Sequence, residues 1–104
     1  MVDVDSRGCV AVSYYDFRND RPGDDVLSTD LWITRSYDGG ATFTDEARLT
    51  TSSFDMRTAP DALGYFVGDY TGLDHTGTTF HPAWVGANDG NLDNRTDVFH
   101  RTAG

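Results

Sequence analysis

The sequence predicts an all-β chain of antiparallel strands joined by turns and loops. Three observations predict it. Short runs alternating apolar with polar residues recur along the chain and are rich in Val, Thr, Tyr, Phe and Trp. These runs are bounded by Asp, Asn, Gly or Pro, the residues that favour turns. No segment carries a convincing helical period.

Val2–Asp5 alternates apolar and acidic residues, as a half-exposed strand would. Asp5-Ser6-Arg7-Gly8 is a turn in which Gly8 supplies a positive φ. Cys9–Phe17 (CVAVSYYDF) is β-branched and aromatic throughout and is the strongest strand of the first half. Asn19–Ser28 is a loop punctuated by Pro22-Gly23, and Thr29–Arg35 (TDLWITR) is the next strand. The stretch Ser36–Phe43 (SYDGGATF) must then fold the chain back into a fourth strand, Thr42–Thr50. There Asp38 can accept backbone N–H bonds and Gly40 can take positive φ; Ser36 can brace the other side through its hydroxyl, and Phe43 is expected to re-enter the sheet as an apolar anchor.

Thr51–Leu63 reads as a polar crossing segment. Tyr65–Leu73 is a strand whose glycines suit close approach to a neighbouring backbone. A turn at His75–Gly77, a strand at Thr78–Val85, a loop at Gly86–Arg95 and a strand at Thr96–Thr102 follow.

Charge and composition exclude some functions. The net charge of −9 argues against nucleic acid and against anionic membrane surfaces as partners. All eight basic residues are Arg, and Glu46 is the single Glu, a bias that fits a high-GC genome or a salt-adapted, exported protein. No window approaches the roughly 18 apolar residues of a membrane span. Residues 1–8 (MVDVDSRG) carry no signal-peptide core. Cys9 is the lone cysteine, so no disulfide forms within the chain, and its apolar surroundings predict a buried small hydrophobe.

The order of elements repeats. Asp5, Gly8, Tyr15, Asn19 and Asp20 match Asp74, Gly77, Trp84, Asn88 and Asp89 at a separation of 69 positions. Thr29-Asp30-Leu31-Trp32 matches Thr96-Asp97-Val98-Phe99 at a separation of 67. Turn residues and strand aromatics held at fixed offsets indicate two copies of one antiparallel four-stranded unit, the signature of a propeller blade.

SYDGGATF resembles the Asp box of the sialidase-like BNR repeat, whose pattern is Ser-x-Asp-x-Gly-x-Thr-Phe/Trp, carried here by Ser36, Asp38, Gly40, Thr42 and Phe43. The resemblance extends over YYDFR at Tyr14–Arg18, TDLWITRSYDGGATF at Thr29–Phe43, SFDMRTAP at Ser53–Pro60 and GYFVGDYTGL at Gly64–Leu73. It implies antiparallel four-stranded blades of a sialidase-type β-propeller: one blade over 1–50, an inter-blade crossing over 51–63 and a second, truncated blade over 64–104. Strands for about one and three-quarter blades are present, against about 4–8 in a closed propeller, so the expectation is a C-terminal fragment whose partners include the remaining blades. Such a fragment, with sheet faces and edges exposed, is expected to be poorly stable or to self-associate. In this family the Asp box staples a hairpin and does no chemistry. The resemblance also implies an extracellular or cell-surface location.

Alternating strand direction sorts the connections onto two ends. The turns at Asp5–Gly8 and Asp74–Gly77 and the Asp box lie at one end; the long loops at Asp16–Ser28, Thr50–Gly64 and Val85–Arg95 lie at the other, where binding is expected. The substrate-binding candidates are therefore Asp16, Arg18, Arg57, Asp69 and Tyr70, with Asp89 also on that end.

The resemblance implies a mechanism in which arginines grip a substrate carboxylate, an Asp is general acid/base and a Tyr helped by a Glu is nucleophile. The planar guanidinium fork suits a carboxylate. Glu46, placed just after the Asp box on an outer strand, is expected to lie far from any central cleft, so that no Tyr–Glu pair assembles. The competing structural readings are an Asp16–Arg18 ion pair tying a loop, and Asp69 bonding neighbouring backbone beside a packed Tyr70.

No cofactor or metal is expected. Asp89–Asn94 begins like a calcium loop, but Asn94 stands where an EF-hand needs glycine and His100 where it needs Glu. A solvated acidic loop is the better reading there and at Asp24-Asp25. His75, His81 and His100 have no zinc-like spacing. Asn94-Arg95-Thr96 is a glycosylation sequon, meaningful in a eukaryotic secretory setting.

Two functions follow: a non-catalytic, structural or carbohydrate-facing propeller module of an exported protein, or part of an exo-sialidase-type glycoside hydrolase acting on terminal acidic sugars. The missing Tyr–Glu pair favours the first, and fold alone does not decide.

Overall fold

A computed structural model describes residues 1–58, 71–87 and 96–103. These form two antiparallel sheets with no α-helix among them. In the first sheet β1 (Val2–Val4), β2 (Val10–Asp16), β3 (Ser28–Ser36) and β4 (Thr44–Arg48) lie in sequence order. In the second, β6 (Gly72–Thr76), β7 (Thr79–Ala87) and β8 (Thr96–His100) do the same.

The predicted crossing segment is more structured than its polarity suggests. Phe54–Asp55 forms a two-residue strand, β5, against Ser28 and Thr29 of β3, and Met56–Thr58 adds a turn of 3-10 helix. Phe54 is buried there, and its apolar contact with Tyr15 draws the segment inward. The second sheet also departs from expectation. β6 runs through Thr76, so the reversal is the tight Gly77-Thr78 pair, with Gly77 at φ 60°, instead of His75–Gly77. Of the predicted strand Tyr65–Leu73, residues 65–70 lie outside the described residues.

The sheets stack face to face. Ala11, Leu31 and Ile33 on one side meet Phe80 and Trp84 on the other, and Cys9 and Leu49 close the ends, all at 4% exposure or less. Three contacts orient the stack. Asp3 on β1 bonds His75 on β6, the Tyr15 hydroxyl on β2 donates to the Val85 carbonyl on β7 at 2.6 Å, and Ser6 in the β1–β2 turn donates its amide and hydroxyl to the Gly77 carbonyl in the β6–β7 turn. Strand therefore sits over corresponding strand, and turn over corresponding turn. Order and direction are both preserved, so the second sheet follows the first along the stacking direction without being flipped. The top of one unit meets the bottom of the next, which is a heterologous contact.

That geometry corrects the repeat offsets. Tyr14 pairs with Trp32 and Trp84 pairs with Phe99, so the offset of 67 between β3 and β8 stands, while β2 and β7 correspond at 70 rather than 69. Trp84 therefore matches Tyr14, not Tyr15. A shift of one residue moves every side chain to the opposite face of a strand, which is why the distinction matters. On β1 and β6 the match is Val2 to Leu73 and Val4 to His75.

Candidate functional site

The Asp-box turn folds largely as its residues dictate. Asp38 accepts the Thr42 amide at 2.9 Å and the Thr42 hydroxyl at 2.5 Å, and the Ser36 hydroxyl donates to it at 2.7 Å. Ser36 in turn accepts the Gly40 amide at 2.8 Å. Gly39 and Gly40 take φ of 74° and 96°, where a side chain would be strained. The Thr42 hydroxyl above all, with the bonds from Thr42 N–H and Ser36, holds the Asp38 carboxyl down at about 2. Both carboxylate oxygens are thus committed to the turn. Phe43 does not anchor the sheet: it is 48% exposed, and β4 starts one residue later. Asp45 sits at φ 53° beside a register shift between Ile33 and Arg35, a bulge in the pairing of β3 with the exposed edge strand β4.

At the opposite end of the first sheet the candidates Asp16 and Arg18 converge with Tyr14 and Glu46. Arg18 donates to Asp16 at 2.6 Å and also to Glu46, and the Tyr14 hydroxyl donates to the same Glu46 carboxylate. The Arg18 guanidinium lies 3.8 Å over the Trp32 ring. The expectation that Glu46 stands apart from any tyrosine is therefore wrong. Trp32 pairs with Tyr14 on one side and Arg48 on the other, and Glu46, two residues before Arg48, shares their face.

Protonation in this cluster runs against nucleophilic chemistry. Arg18 first, then Tyr14, hold Glu46 at about 2. Burial first, then the bond to Glu46, push the Tyr14 phenol above its usual value. A carboxylate that is a weakened base thus faces a phenol whose proton is held more tightly.

Asp30 is a second hub, one that its place in mid-strand concealed. Its side chain is 1% exposed, and it accepts from Asn19 at 2.9 Å, Arg48 at 2.8 Å, Thr50 at 2.5 Å and Ser53 at 2.7 Å. Burial pushes its carboxyl up, but these donors outweigh burial and hold it below the usual range. It ties the β2–β3 loop, β4 and the following connection into one end of the sheet. The one available signal was the Thr-Asp pair repeated at Thr96-Asp97.

Of the remaining candidates, Arg57 lies exposed on the 3-10 turn, where its amide donates to Asp55. Asp69, Tyr70 and the acidic loop at Asp89–Asn94 lie outside the described residues. Asp24 accepts the Val26 amide at the start of its own turn. Asp3, Asp74 and His75 bring their ligand atoms within 4.8 Å of one another, a geometry that the His75–Asp3 hydrogen bond of 2.7 Å already accounts for.

Beside this end a cleft of about 530 Å³ opens between the sheets. The hydroxyl-bearing run Thr50–Ser53 forms one wall, and Trp84, Phe99 and Arg101 form the other. Arg101 donates to the Leu49 carbonyl at 2.8 Å, which bridges the walls at one point. Hydroxyls, aromatic rings and a guanidinium around a cleft of this size can bind a polar small molecule. No helix among the described residues is long and apolar enough to cross a membrane. No known family model, curated protein or solved structure matches the chain.

Proposed function

We propose that this chain is a non-catalytic, carbohydrate-facing piece of a sialidase-like BNR-repeat propeller, belonging to an exported or cell-surface protein. The observation that carries the non-catalytic reading is the closed Tyr14–Glu46–Arg18–Asp16 network, in which one guanidinium is shared by two carboxylates and Glu46 is held at about 2. The Asp box supports the family reading, because its Ser, Asp and Thr are spent on the turn. Head-to-tail stacking of the two sheets is the arrangement that neighbouring blades of a ring require. Thr50–Ser53, Phe99 and Arg101 around the cleft support a sugar as the ligand.

One observation favours the second reading, an exo-sialidase-type glycoside hydrolase: a tyrosine hydroxyl does meet a glutamate beside an arginine. A fluorogenic sialoside separates the two. The proposal expects no turnover, together with sugar-induced NMR shifts at Thr50–Ser53 and Arg101 in a panel of neutral and acidic saccharides. Turnover abolished by Glu46→Gln in a folded protein establishes the enzyme instead, and a panel that shifts nothing removes the carbohydrate role.

A further inference from the structure

The corrected repeat identifies what each outer face is built to meet. The outer face of the first sheet carries Val2 opposite Val12, Val4 opposite Val10, and Tyr14 opposite Trp32. Their counterparts in the second sheet are Leu73 opposite Pro82, His75 opposite Phe80, and Trp84 opposite Phe99. That second set is the face already packed against the first sheet, with Phe80 at 0% exposure. Yet Val2 and Val4 are 62% and 46% exposed. Val10 and Val12, which also pair with Ser36 and Thr34, complete an apolar patch at one end of this face, whose other end carries the Tyr14, Arg18 and Glu46 cluster over Trp32. An exposed patch of paired valines marks a contact surface.

The other outer face completes the match. On the second sheet it carries His81, Ala83, Val85, Val98 and His100. At the corrected offsets these correspond to Ala11, Ser13, Tyr15, Leu31 and Ile33, the face of the first sheet that is buried in the stack. Val98 is 75% exposed where Leu31 is 2% exposed. The chain thus displays, uncovered, the second copy of each half of the interface it already forms internally.

We propose that the outer face of the second sheet docks on the outer face of the first sheet of another copy of this chain, repeating the internal stacking head to tail. Val98 and His100 of one copy then stand to Val10 and Tyr14 of the next as Leu31 and Ile33 stand to Phe80 and Trp84 in the core of the chain. The contact is heterologous, so it propagates until a ring closes or an open stack forms. A net charge of −9 on each copy opposes it, and added salt screens that repulsion. The inference rests on strand register and exposure, independently of any ligand or of the Asp-box resemblance.

Val4→Asp spoils one face and Val98→Asp the other, and both sites are exposed enough to leave the fold intact, which circular dichroism checks. In sedimentation velocity from micromolar to millimolar protein, the wild-type chain is expected to associate beyond a dimer, more so at high salt. Each variant alone is expected to be monomeric. An equimolar mixture of the two is expected to stop at dimers, because one intact pair of faces remains. A wild-type chain that stays monomeric overturns the proposal. So does association that survives Val98→Asp, which means that first-sheet faces meet each other, and so does a mixture that fails to pair.

Discussion

Replacing Asp30 tests whether the loop end of the first sheet is held by one buried carboxylate. In Asp30→Ala the Asn19 amide and the Thr50 and Ser53 hydroxyls lose their acceptor, and the Arg48 guanidinium loses its counter-charge. Removing one partner of a buried charge pair costs about 3–5 kcal/mol. Arg48 is 35% exposed and can turn to water, whereas Thr50 is buried and cannot, so the loss sits near the lower end, at about 3 kcal/mol. Against a total stability of roughly 5–15 kcal/mol for a domain, that is a large fraction. With a urea slope of about 1.5 kcal/mol/M, the unfolding midpoint falls by roughly 2 M at unchanged slope. Asp30→Asn keeps the shape and one acceptor oxygen, so its midpoint falls between those of the alanine variant and the wild type. A loss below about 1 kcal/mol for Asp30→Ala, the value of an exposed ion pair, refutes the reasoning.

Three further outcomes are expected. His75 has its protonated form favoured first by the Asp3 hydrogen bond and further by Asp74 and Asp5, so its value in the folded chain lies above 6.5. The stabilisation it gives is complete below pH 6.5 and lost as pH rises through that higher value; Asp3→Asn should remove the larger part of this pH dependence from thermal melts, Asp74 and Asp5 keeping the rest. The Tyr14 phenol should titrate above 10 in ultraviolet difference spectra, and Glu46→Gln should lower its midpoint part of the way, because burial, the larger cause, persists. Asp38→Ala should lower the melting temperature and reduce, by the Asp38 share, the loss of stability that the wild type shows as pH falls from about 4 to about 2, the remainder coming from Glu46, Asp30 and Asp5.

Much of the fold was legible where local chemistry decides it. SYDGGATF closes through Ser36, Asp38 and Thr42 because those hydrogen bonds need only the segment itself. The same holds for the Asp16–Arg18 pair, two residues apart. What the sequence concealed depends on register between distant strands. Glu46 reaches Tyr14 because Trp32 lies between their strands and sets both on one face, a relation that no spacing in the chain announces. Asp30 looked like one polar residue in an apolar strand, since its donors come from positions 19, 48, 50 and 53. The repeat was visible in its turn residues, but its turns differ in length. Aligning Gly8 with Gly77 therefore put β2 out of step with β7 by one residue and reversed the apparent facing of the units.

The central claim is that, among the described residues, Asp30, Asp38 and Glu46 are each held ionised by the donors that tie them into the first sheet and its turn. A carbon-detected NMR titration of the side-chain carboxyl groups tests it most directly. The account predicts midpoints at about 2 for both Asp38 and Glu46 and a lowered midpoint for Asp30. A Glu46 midpoint at or above the ordinary 4.5 contradicts it, because the bonds from Arg18 and Tyr14 would then not be holding that carboxylate.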